Sequence, residues 1–377
     1  MTLAAPGGRD VRAWTHTGLA QQLHFGVGSL DLVPDILRSV GARNVMLVTT
    51  AGRLASGDGQ RLVELLGRQL RSTFGEVTSH VPVPLVQRAA MQARRDGVDS
   101  VVSFGGGSCA DLGKAVNYFA EQEQGVPGSS FFDRPVLPHV AIPTTYSGAE
   151  LTPFFGMTDP TSRMKRGAGG PTCAPSAAVY DPALTLGTPP RVSAETGLNA
   201  LAHCVEMAWS PSRTAESEAI ALAGAGRIFE ALPEVVADPS DLAARAWMFE
   251  GAVLGGRCLQ NGSMGIHHGL SQLIGGRTGI PHGLANAVIL PHAIRFNAPA
   301  VPDAVSRIGT AIGADDPAGA IEDLVQRLGL PTSLGDCGVS LADLEAVARL
   351  SQSNGSVQAN PRPVGEEDAQ SLLAAAF

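Results

Sequence analysis

The sequence is poor in lysine, in aromatic residues and in charge. Of its 27 basic residues only two are lysines, Lys114 and Lys165; aromatic residues make up 5% and charged residues 16%. Acidic residues number 35, so the net charge is −8. That balance excludes a chain whose main task is to hold nucleic acid, because phosphate neutralisation needs a basic face. Few charges beside 44% hydrophobic residues exclude a disordered chain and a coiled coil. The five cysteines (Cys109, Cys173, Cys204, Cys258 and Cys337) are widely spaced with no C-x-x-C pair. A disulfide framework and a cysteine zinc site are therefore not expected, and reduced thiols in a cytoplasmic protein are. No apolar run reaches the ~18–20 residues of a membrane span. The start of the chain lacks a charged segment followed by an apolar one, so a signal peptide is not expected either.

What is present is length and alternation. At roughly 100–200 residues per domain, 377 residues suggest two domains. The first half alternates β-branched apolar runs with helix-like stretches. Strands are expected at 44–50, 76–81, 100–104, 139–143 and 177–180, with helices near 59–70 and 86–96. That alternation implies βαβ units and a parallel sheet, hence an α/β domain over residues 1–180. Beyond it, apolar residues recur at three-to-four spacing at 195–209, 216–232, 241–260, 265–274 and 285–296, and no strand pattern follows. Residues 181–377 thus read as an all-helical domain, with loops expected at 125–130 and 167–175.

Two segments at strand ends carry chemistry. The apolar run 100–104 leads into Gly105-Gly106-Gly107-Ser108-Cys109-Ala110-Asp111. Glycines between a buried strand and a helix let backbone N–H groups approach a phosphate at the positive helix end. A tight turn with an Asp111–Lys114 surface pair is an equal alternative. Thr144, Thr145 and Ser147 follow the run 139–143, where open α/β sheets bind ligands; a hydroxyl-rich cap is again an alternative. In the helical half, Asn199 and His203 stand at i,i+4 on one face, His268 opens a helix with Gln272 one turn on, and His282 marks a helix start. Three imidazoles and an amide in an apolar setting suggest a pocket. Three imidazoles can ligate zinc or iron, with an anionic fourth ligand usual for iron-like metals.

The segments GGGSCADLGKAV, IPTTYSGAELTPF, VYDPALTLGTPP, ETGLNALAHCVE and GIPHGLANAVILPHAIRFN, in that order, resemble the iron-containing alcohol dehydrogenase superfamily. The resemblance implies a Rossmann-like parallel-sheet domain followed by a helical substrate domain, with a nicotinamide cofactor in the cleft between them. It places the cofactor against Thr50, Gly105, Gly106, Gly107, Ser108, Asp111, Thr144, Thr145, Ser147 and Lys165. Metal-dependent members hold their ion with one Asp and three His. Here His203, His268 and His282 stand at the histidine positions and Asn199 at the Asp position. An amide there is typical of maleylacetate reductases, the metal-independent branch, which the doubled His267-His268 and the tail Asn360-Pro361-Arg362-Pro363-Val364 also resemble. At Gln272 both branches usually carry a histidine.

The resemblance implies an NADH- or NADPH-dependent reductase without metal, hydride transfer to an enone such as maleylacetate, and a homodimer. Asn199, His203, His268 and His282 would be the catalytic groups, stabilising an enolate oxygen. A metal-dependent alcohol dehydrogenase, or a biosynthetic reductase with another substrate, are the alternatives. Thr50 stands where many relatives carry an Asp that binds the adenosine ribose. Because a neutral hydroxyl does not repel a 2′-phosphate, tolerance of both cofactors is expected. An anionic substrate would need cationic or N–H partners, and Lys165, Arg166, Arg257 and Arg277 are candidates.

Overall fold

The computed structural model describes residues 14–130, 134–159 and 164–377 and the backbone of 3–4 and 10–11; the side chains of Met164 and Lys165 lie outside that description. A short antiparallel pair, β1 (Leu3–Ala4) and β2 (Asp10–Val11), precedes the main sheet. That sheet contains β3 (Gln22–Phe25), β4 (Val45–Thr49), β5 (Leu70–Phe74), β6 (Ser100–Gly105), β7 (His139–Pro143) and β10 (Ala177–Tyr180). Its order is β3-β10-β7-β6-β4-β5 and every neighbouring pair is parallel. The reason lies in the strands: β4, β6, β7 and β10 are buried at every position, as a sheet covered on both faces demands.

Alternate side chains feed two separate cores. Met46, Val48 and Val101 pack with α4 (Val83–Asp96) and α5 (Gly107–Glu123) on one face. Val45, Leu47 and Val102 pack with α1 (Val33–Ser39) and α3 (Gly57–Leu66) on the other, and the short α2 (Ala51–Ala55) links β4 to α3. The chain leaves neighbouring strands β4 and β6 toward opposite faces. A crevice therefore opens at their carboxyl ends, between Thr50 and Gly106.

After Tyr180 the described residues contain helices and turns only: α6 (Pro190–Trp209), α7 (Ala215–Ala237), α8 (Leu242–Asn261), α9 (Ile266–Thr278), α10 (His282–Asn297), α11 (Pro302–Ile312), α12 (Pro317–Arg327), α13 (Leu341–Ser351), α14 (Gly355–Gln358) and α15 (Glu366–Ala375). From Ser193 to Trp209, α6 is buried on every face except at Thr196, so it forms the axis of this part. No helix among the described residues is long and apolar enough to cross a membrane.

The strand expected at 76–81 is not there. The strand is β5, Leu70–Phe74, and the helix before it stops at Leu66, where Gly67 turns the chain with φ 47°. Residues 76–81 form a loop instead, with His80 and Val81 at φ 64° and 44°. A left-handed β-branched residue cannot continue a strand. Part of the loop expected at 167–175 is strand: β8 (Phe154–Asp159) and β9 (Met164–Gly169) form an antiparallel hairpin with Phe154 opposite Gly169.

Lys114 belongs to the fold, not to a surface pair. Its side chain is fully buried, with Nζ 2.8 Å from Asp111 Oδ1 and donating to Ala149 O at 2.9 Å and Thr152 Oγ1 at 3.0 Å. It ties the loop after β7 to α5. Lys114→Met should therefore destabilise the protein by about 3–5 kcal/mol, the range for breaking a buried ion pair. Urea denaturation measures it; a midpoint equal to wild type would refute the tie.

Candidate active site

A cleft of about 870 Å³ lies across the carboxyl ends of the strands and the facing helices. At its centre α5 begins at Gly107 behind the N-cap Gly106, with no side chain capping its first N–H groups and no acid in its first turn. Such an end is a ready anion site. A side chain at 107 would crowd the loop after β7, since a Cβ there would stand 2.9 Å from Ser147 Oγ. Thr50 caps α2, accepting from Arg53 N at 3.2 Å. Cys109, although in this turn, is buried, which pushes its thiol up to about 12 and leaves it inert.

Of the ten cofactor candidates, Thr50, Gly106, Gly107, Ser108, Asp111, Thr145 and Ser147 line this one cleft. Gly105 and Thr144 do not. Gly105 ends β6 with φ 143° beneath the wall, and Thr144 is buried. The Lys165 side chain lies outside the described residues.

At the opposite end, Asn199 and His203 on α6, His268 and Gln272 on α9 and His282 at the start of α10 line the same cleft. The His203 and His268 rings stack at 4.7 Å and 20°, and His282 lies 6.1 Å from His268 between ring centres. Burial, then the neighbouring His268 and His282, hold the His203 pKa well below its ordinary value, so this imidazole is neutral. Asn199 is fixed on both sides. Its Oδ1 accepts from Asn286 Nδ2 at 2.5 Å and its Nδ2 donates to Ser147 O at 3.4 Å.

Under this floor lies Glu206, fully buried on α6. Oε1 accepts the N–H groups of Gly265 (2.9 Å) and His267 (3.1 Å), while Oε2 accepts His268 N (3.3 Å) and His268 Nδ1 (2.5 Å). His267 Nε2 donates to Asn286 O at 2.9 Å, and its Nδ1 stands 3.1 Å from His268 Nδ1. Burial alone would raise the Glu206 carboxyl. Hydrogen bonds from His267 and His268 outweigh it and hold the group well below the usual carboxylate range. The remaining first-turn N–H of α9, Ile266 N, is taken by Asn360 Oδ1 at 3.1 Å, which gives the tail motif a structural role.

The donor set lacks the carboxylate usual for an iron-like metal, because Asn199 stands in its place. Among the described residues, the three ligand atoms that lie within 4.8 Å of one another come from Glu206, His267 and His268, already spent on each other, and not from His203, His268 and His282. The fourth position offers an amide whose oxygen is engaged. The expected carboxylate partners also fall elsewhere. Arg166 pairs with Asp159 at 3.4 Å, Arg277 with Asp343 at 2.7 Å, and Arg257 donates to Gln260 at 2.5 Å. Among the described residues lining the cleft there is no lysine or arginine.

Sequence reasoning missed Glu206 and Asn286. The i,i+3 spacing of His203 and Glu206 was the available signal for the first; Asn286 offered none. Glu206 has a measurable consequence. Its stabilising contribution is complete above the ordinary glutamate range, about pH 4.3, and is lost as pH falls toward the depressed native value. Glu206→Gln should be less stable at pH 7 by about 2–3 kcal/mol, the worth of a hydrogen bond to a charged group. Below about pH 4 it should lose stability less steeply than wild type, by up to about 1.4 kcal/mol per pH unit. Chemical denaturation from pH 7 to 3 checks both, and parallel pH curves would show that folding leaves the Glu206 pKa unshifted.

Comparison with known proteins agrees with this geometry. Residues 20–182 match the family model of iron-containing alcohol dehydrogenase, and residues 193–377 that of the C-terminal region of the Fe-containing alcohol dehydrogenase family. The chain is 35% identical to a maleylacetate reductase of Burkholderia cepacia over 94% of each chain. The crystal structure of maleylacetate reductase from Agrobacterium tumefaciens superposes with a TM-score of 0.86 at 32% identity, covering 97% of this chain and 99% of that one. Sulfoacetaldehyde reductase from Bifidobacterium kashiwanohense, solved in complex with NAD+, superposes at 0.88 with 26% identity, covering 97% and 99%. The chain therefore belongs to the iron-containing alcohol dehydrogenase family, in its maleylacetate reductase branch, and is a nicotinamide-dependent oxidoreductase.

Proposed function

We propose that this protein reduces maleylacetate to 3-oxoadipate with NADH or NADPH and without a metal. The observation that carries the reading is Asn199, an amide locked by Asn286 among His203, His268 and His282. The relatives named maleylacetate reductase support the substrate, and the uncapped start of α5 supports a cofactor pyrophosphate at Gly106, Gly107 and Ser108.

The bound nicotinamide supplies the hydride. When the enone carbon conjugated to the ketone receives it, the carbon–carbon π pair shifts and negative charge develops on the ketone oxygen. The imidazoles of His203, His268 and His282 and the Asn199 amide stand where N–H donors can hold that oxygen, the task a metal performs elsewhere in the family. Glu206 keeps a hydrogen on His268 Nδ1 and stabilises the ring when Nε2 also carries one, so His268 can donate into the cleft. A proton from the imidazoles then completes the carbon next to the ketone. Gln272, an amide, can position substrate but cannot move that proton. With no lysine or arginine on the described wall, substrate carboxylates meet imidazoles and backbone N–H groups. A homodimer in the cytoplasm belongs to the same proposal; the five free thiols suit a reducing compartment.

The test follows NADH oxidation at 340 nm with maleylacetate against simple ketones and aldehydes, before and after EDTA. Turnover on maleylacetate that survives chelation is expected. A stoichiometric metal and activity lost with it would overturn the proposal in favour of a metal-dependent alcohol dehydrogenase. Asn199→Asp sharpens this. The carboxylate is nearly isosteric and still accepts from Asn286, but it adds a negative charge beside three imidazoles. The variant should take up zinc more readily than wild type and lose at least tenfold in kcat/KM on the dianionic substrate, about 1.4 kcal/mol of transition-state binding. Metal analysis and steady-state kinetics read both effects, and wild-type kinetics in the variant would remove Asn199 from the argument.

A further inference from the structure

The cleft has two ends, and hydride transfer assigns them. The nicotinamide belongs beside the histidines and the pyrophosphate at the start of α5. The adenosine half is left with the other end, where Thr50, Val77 and Thr78 line the wall. There the cleft continues into a second groove of about 520 Å³ that shares Val77 and Thr78 and adds Glu76 and Arg88. Glu76 stands two residues past the end of β5 and is held beside Thr50 by an isolated antiparallel bridge. Its carboxylate lies 2.7 Å from Arg88 Nη2, with 71% of the Glu76 and 52% of the Arg88 side chain exposed. A pair so open to solvent contributes little to stability, and both side chains are within reach of a ligand.

We propose that the Glu76–Arg88 pair selects NADH over NADPH. The inference rests on the reading above that the cleft binds a nicotinamide dinucleotide. An acidic residue at a strand end accepts from the ribose 2′-hydroxyl and repels a 2′-phosphate, whereas an arginine accommodates that phosphate. Here both stand in one groove, and the carboxylate occupies the guanidinium. Thr50 alone discriminates against neither cofactor; Glu76, next to it across the bridge, does. Without Glu76 the same groove presents an unpaired arginine to the 2′-phosphate.

The experiment measures kcat/KM for NADH and NADPH, and the affinity of each by fluorescence titration, for wild type, Glu76→Gln and Glu76→Gln/Arg88→Gln. Wild type should prefer NADH. Glu76→Gln should raise the NADPH to NADH ratio at least tenfold, and the double variant should lose most of that gain, because the freed Arg88 is what reads the phosphate. A wild-type preference for NADPH, an unchanged ratio in Glu76→Gln, or a gain retained in the double variant would each overturn the proposal. Failure of wild type to bind either dinucleotide would overturn the cofactor reading itself, and this one with it. Circular dichroism confirms that the variants, changed only on the surface, are folded.

Discussion

The arrangement of the histidine end depends on one buried carboxylate. Glu206 receives three backbone N–H groups from the start of α9 and the Nδ1 hydrogen of His268. A lone charge of this kind inside a protein is prohibitively costly; a carboxylate at a helix N-terminus, with four donors, is not. The same contacts that make the charge tolerable hold the start of α9 against α6, where the His268 ring stacks on His203 and Gln272, one turn on along α9, also lines the cleft. Asn360, reaching back from near the end of the chain, accepts the one first-turn N–H, that of Ile266, that Glu206 does not.

The other half of the cleft depends on topology. Because β4 and β6 are neighbours whose chains depart to opposite faces, two loop ends are splayed apart and the N-terminus of α5 is left open between them. Lys114 then fixes the loop after β7 across that opening. The loop in turn meets the helical part, where Gly148 takes φ 73° and a Cβ would stand 2.7 Å from Gly256 Cα on α8. Anion-binding backbone and imidazole donors are thus mounted on rigid elements on two sides of one cleft.

Much of this was legible in the sequence, and what was not has physical causes. Helices α6 to α10 announce themselves because three-to-four spacing persists over many turns, and buried strands such as β4 because both faces are apolar. β3 is a four-residue edge strand, Gln22–Phe25, with polar residues at alternate positions and too short to show a period. β9 escapes notice because Met164–Gly169 is glycine-rich, and its partner, not its own composition, makes it a strand. In the site, the histidines are visible from their motifs. Thr144 and Thr145 are not told apart by sequence, although only the second reaches the cleft. Lys114 invites a functional reading through its rarity, yet it is spent on carbonyl groups and Asp111. Glu206 reads as an ordinary helix-surface acid until the fold buries it.

The exchange of a carboxylate for Asn199 makes sense only alongside Glu206. Glu206, the carboxylate hydrogen-bonded to the histidine cluster, is already neutralised from below by His268 and three N–H groups. On the cleft side the three histidines and Asn199 are not anionic, and the acids that line the same wall, Glu195 and Asp111, are paired with Arg191 and Lys114. A second carboxylate at position 199 would place a charge on the cleft side, where only a cation could balance it, and that is the setting in which a metal is retained. With an amide there, N–H donors face the cleft without a fixed negative charge beside them, a setting that favours an anionic ligand. Under the proposed metal-free mechanism, the same substitution weakens the hold on a metal and favours an anion, so the two properties are linked by electrostatics.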